Sequence, residues 1–449
     1  MSTIEKHDMT RGKILLPLVS FTIPLVLGNL FQLTYNAADS VIVGKYVGEQ
    51  ALAAVGTSTP IMNIAILLIS GMCMGASVLM SSQYGAKDYD TLSRQISTTM
   101  LAGCGFSVVF SLLMLLLANP VLRLIRVPET AIPEAAAYLR IIFMGLIFTF
   151  MYNFLANTMR AFGDSKTPLY FLVTSAFLNI FGDLFFVVVL RWGVAGSAIA
   201  TVCSEGLCCL LCGIYIKKNI PLLCLGKKWW VFDKSLLGKT VSYGSTSAMQ
   251  QVCLQLGKLI IQSVVNTQGV AVMAAFTAVN RVDDFAYTPQ QNIGHAMTTF
   301  LAQNKGAGHK ERMKKGFQTG LLIELVYSIG LFCVIWGLAP QIMTLFAEDG
   351  DAQVVSLGIS YLHLISWMYI LPGLTNGVQG FFRGIGDLKV TLYSTFMNMF
   401  GRVVAVFVMI RLLQMEFASL AWANMVGWIV MLLFEVPLLV KSMRNGECG

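Results

Sequence analysis

Long apolar runs alternate with short polar connections along the whole chain. Runs bounded by charge, Gly or Pro recur near residues 14–40, 52–82, 95–119, 134–159, 167–190, 193–216, 238–266, 270–302, 317–338, 353–380, 390–411 and 417–440. Each can supply the roughly 20 residues a membrane-spanning helix needs. The pattern therefore predicts an all-α polytopic membrane protein with twelve transmembrane helices. Pro24, Pro60, Pro289 and Pro372 fall inside these runs, where each removes a backbone donor and can kink its helix.

The polar positions between the runs repeat. Arg160, Gly163, Asp164, Lys166, Leu169 and Tyr170 match Arg383, Gly386, Asp387, Lys389, Leu392 and Tyr393, and Gln83, Gly85 and Ala86 match Gln303, Gly306 and Ala307. Shared Leu and Val would be ordinary between greasy helices; ordered Arg, Gly, Asp and Lys are not. The chain reads as a duplication with two six-helix lobes, residues 1–220 and 221–449, separated by its longest connection. Six helices is an even number, so both repeats enter from one side. They are then related by a pseudo-twofold axis along the membrane normal.

Composition sharpens this picture. Of 449 residues, 56% are apolar and 12% charged, against about 25% charged in a soluble domain, and the mean hydropathy is +0.70. Too little remains for a sizeable extramembrane domain. The net charge of +8 does not point to nucleic acid, because the basic residues are spread over short connections. One set of connections, including both termini, holds 22 of the 31 Lys and Arg, among them Lys217, Lys218, Lys227, Lys228, Lys234 and Lys239. The opposite side has Lys45, Arg123, Arg126 and Arg411 among about six, so both termini are expected in the cytoplasm of a cell (inner or plasma) membrane protein. The first span is too long and too polar for a cleaved signal peptide, so it is expected to be retained. Cys203, Cys208, Cys209 and Cys212 lack paired zinc spacing and read as small apolar side chains. No Walker-type phosphate loop occurs.

Charge inside the spans is costly, roughly 2.5–3.5 kcal/mol per residue on insertion scales, and so directs attention to the residues that carry it. Asn29, Gln32, Asn36 and Asp39 are spaced 3, 4 and 3 and share one face of the first helix. Asn179 and Asp183 stand one turn apart on the fifth, and Thr201 and Glu205 on the sixth. Two readings stay open for Asp39 and Asp183: cavity groups that take up a coupling ion, or structural interhelical hydrogen bonds. Glu205 divides the same way. In the second half, Gln251, Gln255, Lys258 and Gln262 form a stripe followed by Arg281, Asp283 and Asp284, where a self-neutralising ion pair is available. Glu324 and Arg402 have no assigned role. Asn179, Gly182 and Asp183 correspond to Asn398, Gly401 and Arg402, so the second lobe carries a cation where the first carries an anion. His295 and His363 are isolated in apolar surroundings and read as packed residues.

With these motifs in order, the chain resembles the multidrug and toxic compound extrusion (MATE) family, most closely its DinF-like branch. The resemblance rests on Pro24, Asn29, Gln32 and Asp39; Gly44, Gly48 and the Ala51–Gly56 stretch; Gln83–Ala86; Arg160–Pro168; and Gly193–Ala198. It implies an antiporter that exports organic, often cationic compounds by alternating access in exchange for H⁺ or Na⁺. It also implies a first-lobe cavity lined by Asp39, Tyr138, Asn157, Asn179, Asp183 and Thr201, to which Gln32, Asn36, Glu205 and Gln255 are added from their positions. Sodium, if used, would sit at Asp39, Asn179 and Asp183. Another branch places acidic ion ligands on helices seven and ten. Here those positions offer Gln250, Gln251, Gln255, Asn376 and Gln379 and no carboxylate, a departure that argues against a site of that type.

A lipid-linked oligosaccharide flippase would share the architecture but would be expected to have a strongly cationic cavity. Only Lys258, Arg281 and Arg402 are candidates for it, with acids close by. An intramembrane enzyme would need a nucleophile with a His or metal partner, and no such constellation occurs. The expectation is a monomeric transporter in a lipid bilayer, with a small organic substrate and no cofactor.

Overall fold

The computed structural model describes residues 8–125, 127–220, 231–346, 352–412, 417 and 419–444. Its helices are α1 Leu15–Tyr46, α2 Glu49–Gly85, α3 Tyr89–Leu124, α4 Ile132–Ala161, α5 Lys166–Asp183, α6 Gly193–Asn219, α7 Lys234–Val265, α8 Val270–Gly306 and α9 Lys310–Phe346. Helix α10 has two pieces, Ala352–Ser366 and Ile370–Ile385, joined by a 3₁₀ turn at Trp367–Tyr369; α11 Leu388–Phe407 and α12 Ser419–Arg444 follow. The architecture is thus all-α and polytopic, and each apolar run of the sequence has its helix.

Most helices outrun their apolar segments, because hydropathy marks what lipid tolerates while capping marks where a helix can end. Asp88 shows the difference. Its carboxylate accepts from the Thr91 amide at 3.1 Å and starts α3 at Tyr89, six residues before the apolar run. Among the described residues ten helices are apolar enough and long enough to cross a membrane. The other two, α7 and α8, are equally long but carry Lys258, Arg281, Asp283 and Asp284. Outward-facing side chains such as Leu116 and Leu433, 78% and 70% exposed, suit a lipid solvent.

The helices α1, α2 and α8 run through Pro24, Pro60 and Pro289. Pro372 differs. It sits in the first turn after the α10 break, where it cannot donate to the Met368 carbonyl. Helices α5 and α11 each pass into a π-helical turn, Leu184–Val189 and Val408–Leu412, so the two halves share this departure from regular geometry.

The chain packs as two compact units. One contains Ile23–Ala248; the other contains Met9–Thr22 and the described residues from Met249 onward. In the first, α4 packs against α2, α3 and α6 over a core that includes Ile69, Leu92, Phe143, Leu146 and Phe154. In the second, α8 packs against the second piece of α10 and α9, with Phe276, Val279, Tyr361 and Tyr369 in the core. Small residues permit the closest approaches. A Cβ on Gly71 would lie 2.5 Å from the Ala248 Cα, and one on Gly75 would lie 2.4 Å from the Tyr243 carbonyl oxygen.

Each unit also grips a polar strip that leads into a long helix. In the second unit, the Met9 amide donates to Gln303 Oε1 at 3.1 Å. Arg312 donates to the carbonyls of Met9, Arg11 and Gly12 at 3.1, 2.9 and 2.7 Å. In the first unit, the Val231 amide donates to Ser97 Oγ and the Asp233 amide to Thr98 Oγ1, both at 3.1 Å, while Arg94 pairs with Asp233.

Candidate functional site

The first unit gathers its intramembrane carboxylates between α1, α4, α5 and α6. On α6, Ser197, Thr201 and Glu205 recur every four residues and so line one face. Close packing brings α5 to that face: a Cβ on Gly182 would stand 3.0 Å from the Ala200 Cβ, and one on Gly196 would stand 3.0 Å from the Phe186 carbonyl carbon. Asp183 is the last residue before the π turn of α5, a feature that often accompanies functional sites.

Ser197 Oγ donates to Asp39 Oδ1 at 2.6 Å. The Asp183 carboxyl group lies within hydrogen-bonding reach of Asp39. Asp183 is fully buried, and neither of its oxygens receives a donor from a described residue. Two carboxylates that face each other inside a helix bundle repel unless a cation stands between or beside them. No Lys or Arg pairs with either among the described residues.

One turn away, Asn179 Nδ2 donates to Thr201 Oγ1 at 3.2 Å, and Thr201 Oγ1 donates to the Ser197 carbonyl at 3.1 Å. Asn179 Oδ1 is buried with no partner among the described residues. Glu205 Oε2 accepts from Thr149 Oγ1 of α4 at 2.5 Å. Tyr35 of α1 lies close to Gln32, Glu205 and Asp39. Tyr138 is buried near Asp39 and Asp183, with its hydroxyl 3.8 Å from Met62 Sδ.

The structure therefore brings together Asp39, Asp183, Asn179, Thr201, Tyr138 and Glu205. Asn157 is buried on α4, but its Nδ2 turns back to the Asn153 carbonyl at 2.8 Å. Gln255 is half-buried on α7 within the second unit, and the side chain of Asn36 lies outside the described residues, as do Lys227, Lys228 and Arg126. Sequence reasoning did not single out Ser197, Thr149 or Tyr35 as site residues. The four-residue spacing of Ser197, Thr201 and Glu205 was the available signal for Ser197; Thr149, flanked by Phe148 and Phe150 on α4, gave none.

In the second unit, Lys258 Nζ lies 3.2 Å from Asp284 Oδ1, both about half exposed at 55% and 52%. Arg281 is exposed. Asp283 instead turns inward, where Tyr369 donates to Oδ1 at 2.5 Å and Tyr361 to Oδ2 at 3.3 Å, with Asn424 donating to Tyr361 at 2.9 Å. Arg402 lies in the neighbourhood of Asp283. Both histidines have partners: His295 Nδ1 meets Arg383 at 3.1 Å and His363 Nε2 meets the Trp336 carbonyl at 3.2 Å.

This helical fold recurs in known proteins. The MatE family model matches residues 24–185 and again 247–409, one match for each sequence repeat. The probable multidrug resistance protein YpnP of Bacillus subtilis is 31% identical over 391 residues, covering 87% of this chain and 86% of its own. The probable multidrug resistance protein NorM of Thermotoga maritima is 23% identical over 423 residues, covering 92% and 89%. Among solved structures, a MOP superfamily transporter from Pyrococcus furiosus superposes with a TM-score of 0.91 at 21% identity, over 99% of each chain. The chain is a multi-pass membrane protein that belongs to the multidrug and toxic compound extrusion (MatE) family.

Proposed function

We propose that this protein is a secondary antiporter that exports organic, often cationic compounds in exchange for protons, with Asp39 and Asp183 as the coupling pair. The observation that carries the reading is the pair itself. A half-buried carboxylate, Asp39, and a fully buried one, Asp183, lie within bonding reach of each other, and Asp183 has no donor among the described residues. A proton shared between them relieves their repulsion and supplies the missing donor. Ser197 holds Asp39 in position by donating to its other edge. A cationic substrate and a proton then compete for the same negative site, which is the condition for exchange. Sodium is the alternative coupling ion, with Asn179 Oδ1 as a neutral ligand beside the pair.

The names of the relatives support the substrate class, since YpnP and NorM carry multidrug resistance in theirs. The basic connections support a cell-membrane protein with both termini in the cytoplasm. A membrane potential adds about 2.3 kcal/mol per elementary charge per 100 mV, so one inward proton per cycle is a useful drive. The protein is read as acting as a monomer.

Gradient-driven dye efflux from proteoliposomes tests the reading. Wild-type protein should expel a cationic dye under an imposed pH gradient in sodium-free buffer, and Asp183→Asn should abolish the gradient dependence. Full gradient-driven efflux by Asp183→Asn would refute the assignment of the pair, and efflux that occurs only with sodium would assign the other ion.

A further inference from the structure

The second unit holds a carboxylate that the proposed coupling pair does not involve. Glu324, near the middle of α9, is 1% exposed, and neither of its oxygens meets a donor among the described residues. Beside it stands Gln290 of α8, fully buried, whose Oε1 also lacks a partner. The two groups converge on Gly373, in the second piece of α10. A Cβ there would stand 2.9 Å from Ser328 Oγ, 3.2 Å from Gln290 Nε2 and 3.4 Å from Glu324 Oε2.

The donors of Gln290, Ser328 and Tyr327 are committed elsewhere. Gln290 Nε2 donates to Ser328 Oγ at 3.1 Å and to the Tyr369 carbonyl at 2.8 Å. Ser328 Oγ donates to the Glu324 main-chain carbonyl at 2.7 Å, and Tyr327 donates to the Ala286 carbonyl at 3.1 Å. Three buried oxygens, two from Glu324 and one from Gln290, are thus left without a donor. An unpaired charge there would be heavily penalised.

The sequence repeat shows that this place was remodelled rather than left over. The offset that aligns Ala86 with Ala307 at the ends of α2 and α8 sets Glu324 against Gly103. The offset that aligns Arg160 with Arg383 sets Gly373 against Phe150. In the first unit the Phe150 ring occupies the space over Gly103, where a Cβ would come within 1.9 Å of it. In the second unit large and small have exchanged sides: α10 carries the glycine, and α9 sends a carboxylate into the room it leaves. The exchange sits four residues after Tyr369, at the 3₁₀ break that splits α10.

We infer that Glu324, Gln290 and Ser328 form a second cation-binding site, contained within the second unit, whose occupant is a proton. One proton on Glu324 removes the unpaired charge and creates the donor that Gln290 Oε1 lacks. A metal cation fits less well, because hard cations take about six oxygens or more and three are free. The site lies on α8, α9 and α10 and is independent of Asp39 and Asp183, so it gives the second lobe a protonation site of its own beside a break in the helix that covers it.

Infrared difference spectroscopy of the purified full chain tests this, in an Asp39→Asn, Asp183→Asn background so that the first-unit pair does not contribute. A component of the carbonyl-stretch band of protonated carboxylic acids should be present at neutral pH and be lost when Glu324→Gln is added, whatever the half-buried Glu205 and the buried Glu435 contribute. Gln290→Leu, which removes the acceptor together with the amide that donates to Ser328 and Tyr369 but leaves the Glu324 carboxyl in place, should shift that band without abolishing it. A band unchanged by both substitutions would overturn the proposal. So would retention of radioactive sodium that Glu324→Gln abolishes, since the occupant would then be a metal ion.

Discussion

Asp88 lies outside the membrane-spanning segments, at the N-terminus of α3, and its carboxylate caps the helix by accepting from Thr91. That bond favours the charged form and holds its pKa below the usual 3.8. A group whose folded-state pKa is depressed contributes stability above its unfolded value and loses it as pH falls through the folded one. Asp88→Ala should therefore lower the melting temperature at neutral pH, with capping losses typically about 1 kcal/mol. Below the depressed pKa the gap between variant and wild type should close. A thermal-shift series from neutral to strongly acidic pH checks the sign, and a gap that widens in acid would contradict it. At this same scale, Asp39, Asn179 and Asp183 were legible in the sequence, because a carboxylate flanked by Val41–Val43 or Phe185–Phe186 has no solvent to explain it. Their mutual distance was not legible, nor was Ser197 as the donor to Asp39, because both depend on how α5 and α6 close on each other.

Among the elements, the α2–α7 contact is the most sensitive to volume. Gly75 has no room for a methyl group against the Tyr243 carbonyl, and backbone cannot give way as a flexible side chain can. Gly75→Ala should cost roughly 1–3 kcal/mol of stability, read as a lower thermal midpoint of the purified protein in detergent, whereas Gly105→Ala, with nothing within 4 Å of its Cβ, should be close to neutral. Equal effects at the two positions would contradict the packing. The periodic apolar runs predicted the spans, and their polar flanks set only loose limits on where each helix ends. The break in α10 was signalled by Pro372 alone. Pro24, Pro60 and Pro289 are sequence features of the same kind and leave their helices continuous, so what distinguishes Pro372 is tertiary: Gln290 donates to the Tyr369 carbonyl at 2.8 Å and stabilises the broken turn.

For the molecule as a whole, duplication supplied two similar scaffolds and substitution made them chemically unlike. The first unit concentrates acids at Asp39, Asp183 and Glu205. The second sets Asp283 against Arg402 and two tyrosines. Both retain the arginine-based grip on an incoming strip, Arg94 on Asp233 and Arg312 on the carbonyls of Met9, Arg11 and Gly12. Arg312→Ala should speed amide hydrogen exchange in the strip before α1 while leaving that of α11 unchanged; exchange as slow as in wild type would mean that the grip adds nothing to the order of the strip. The central claim concerns the exchange of protons for substrate. Its most direct test is the pH inside sodium-free liposomes containing the purified protein, followed while a cationic substrate gradient is the only driving force. Substrate entering wild-type vesicles should drive protons out and raise the internal pH, and the Asp39→Asn, Asp183→Asn protein should leave it unchanged. A rise of wild-type size in the double variant, or substrate uptake by wild type with no pH change, would contradict the account.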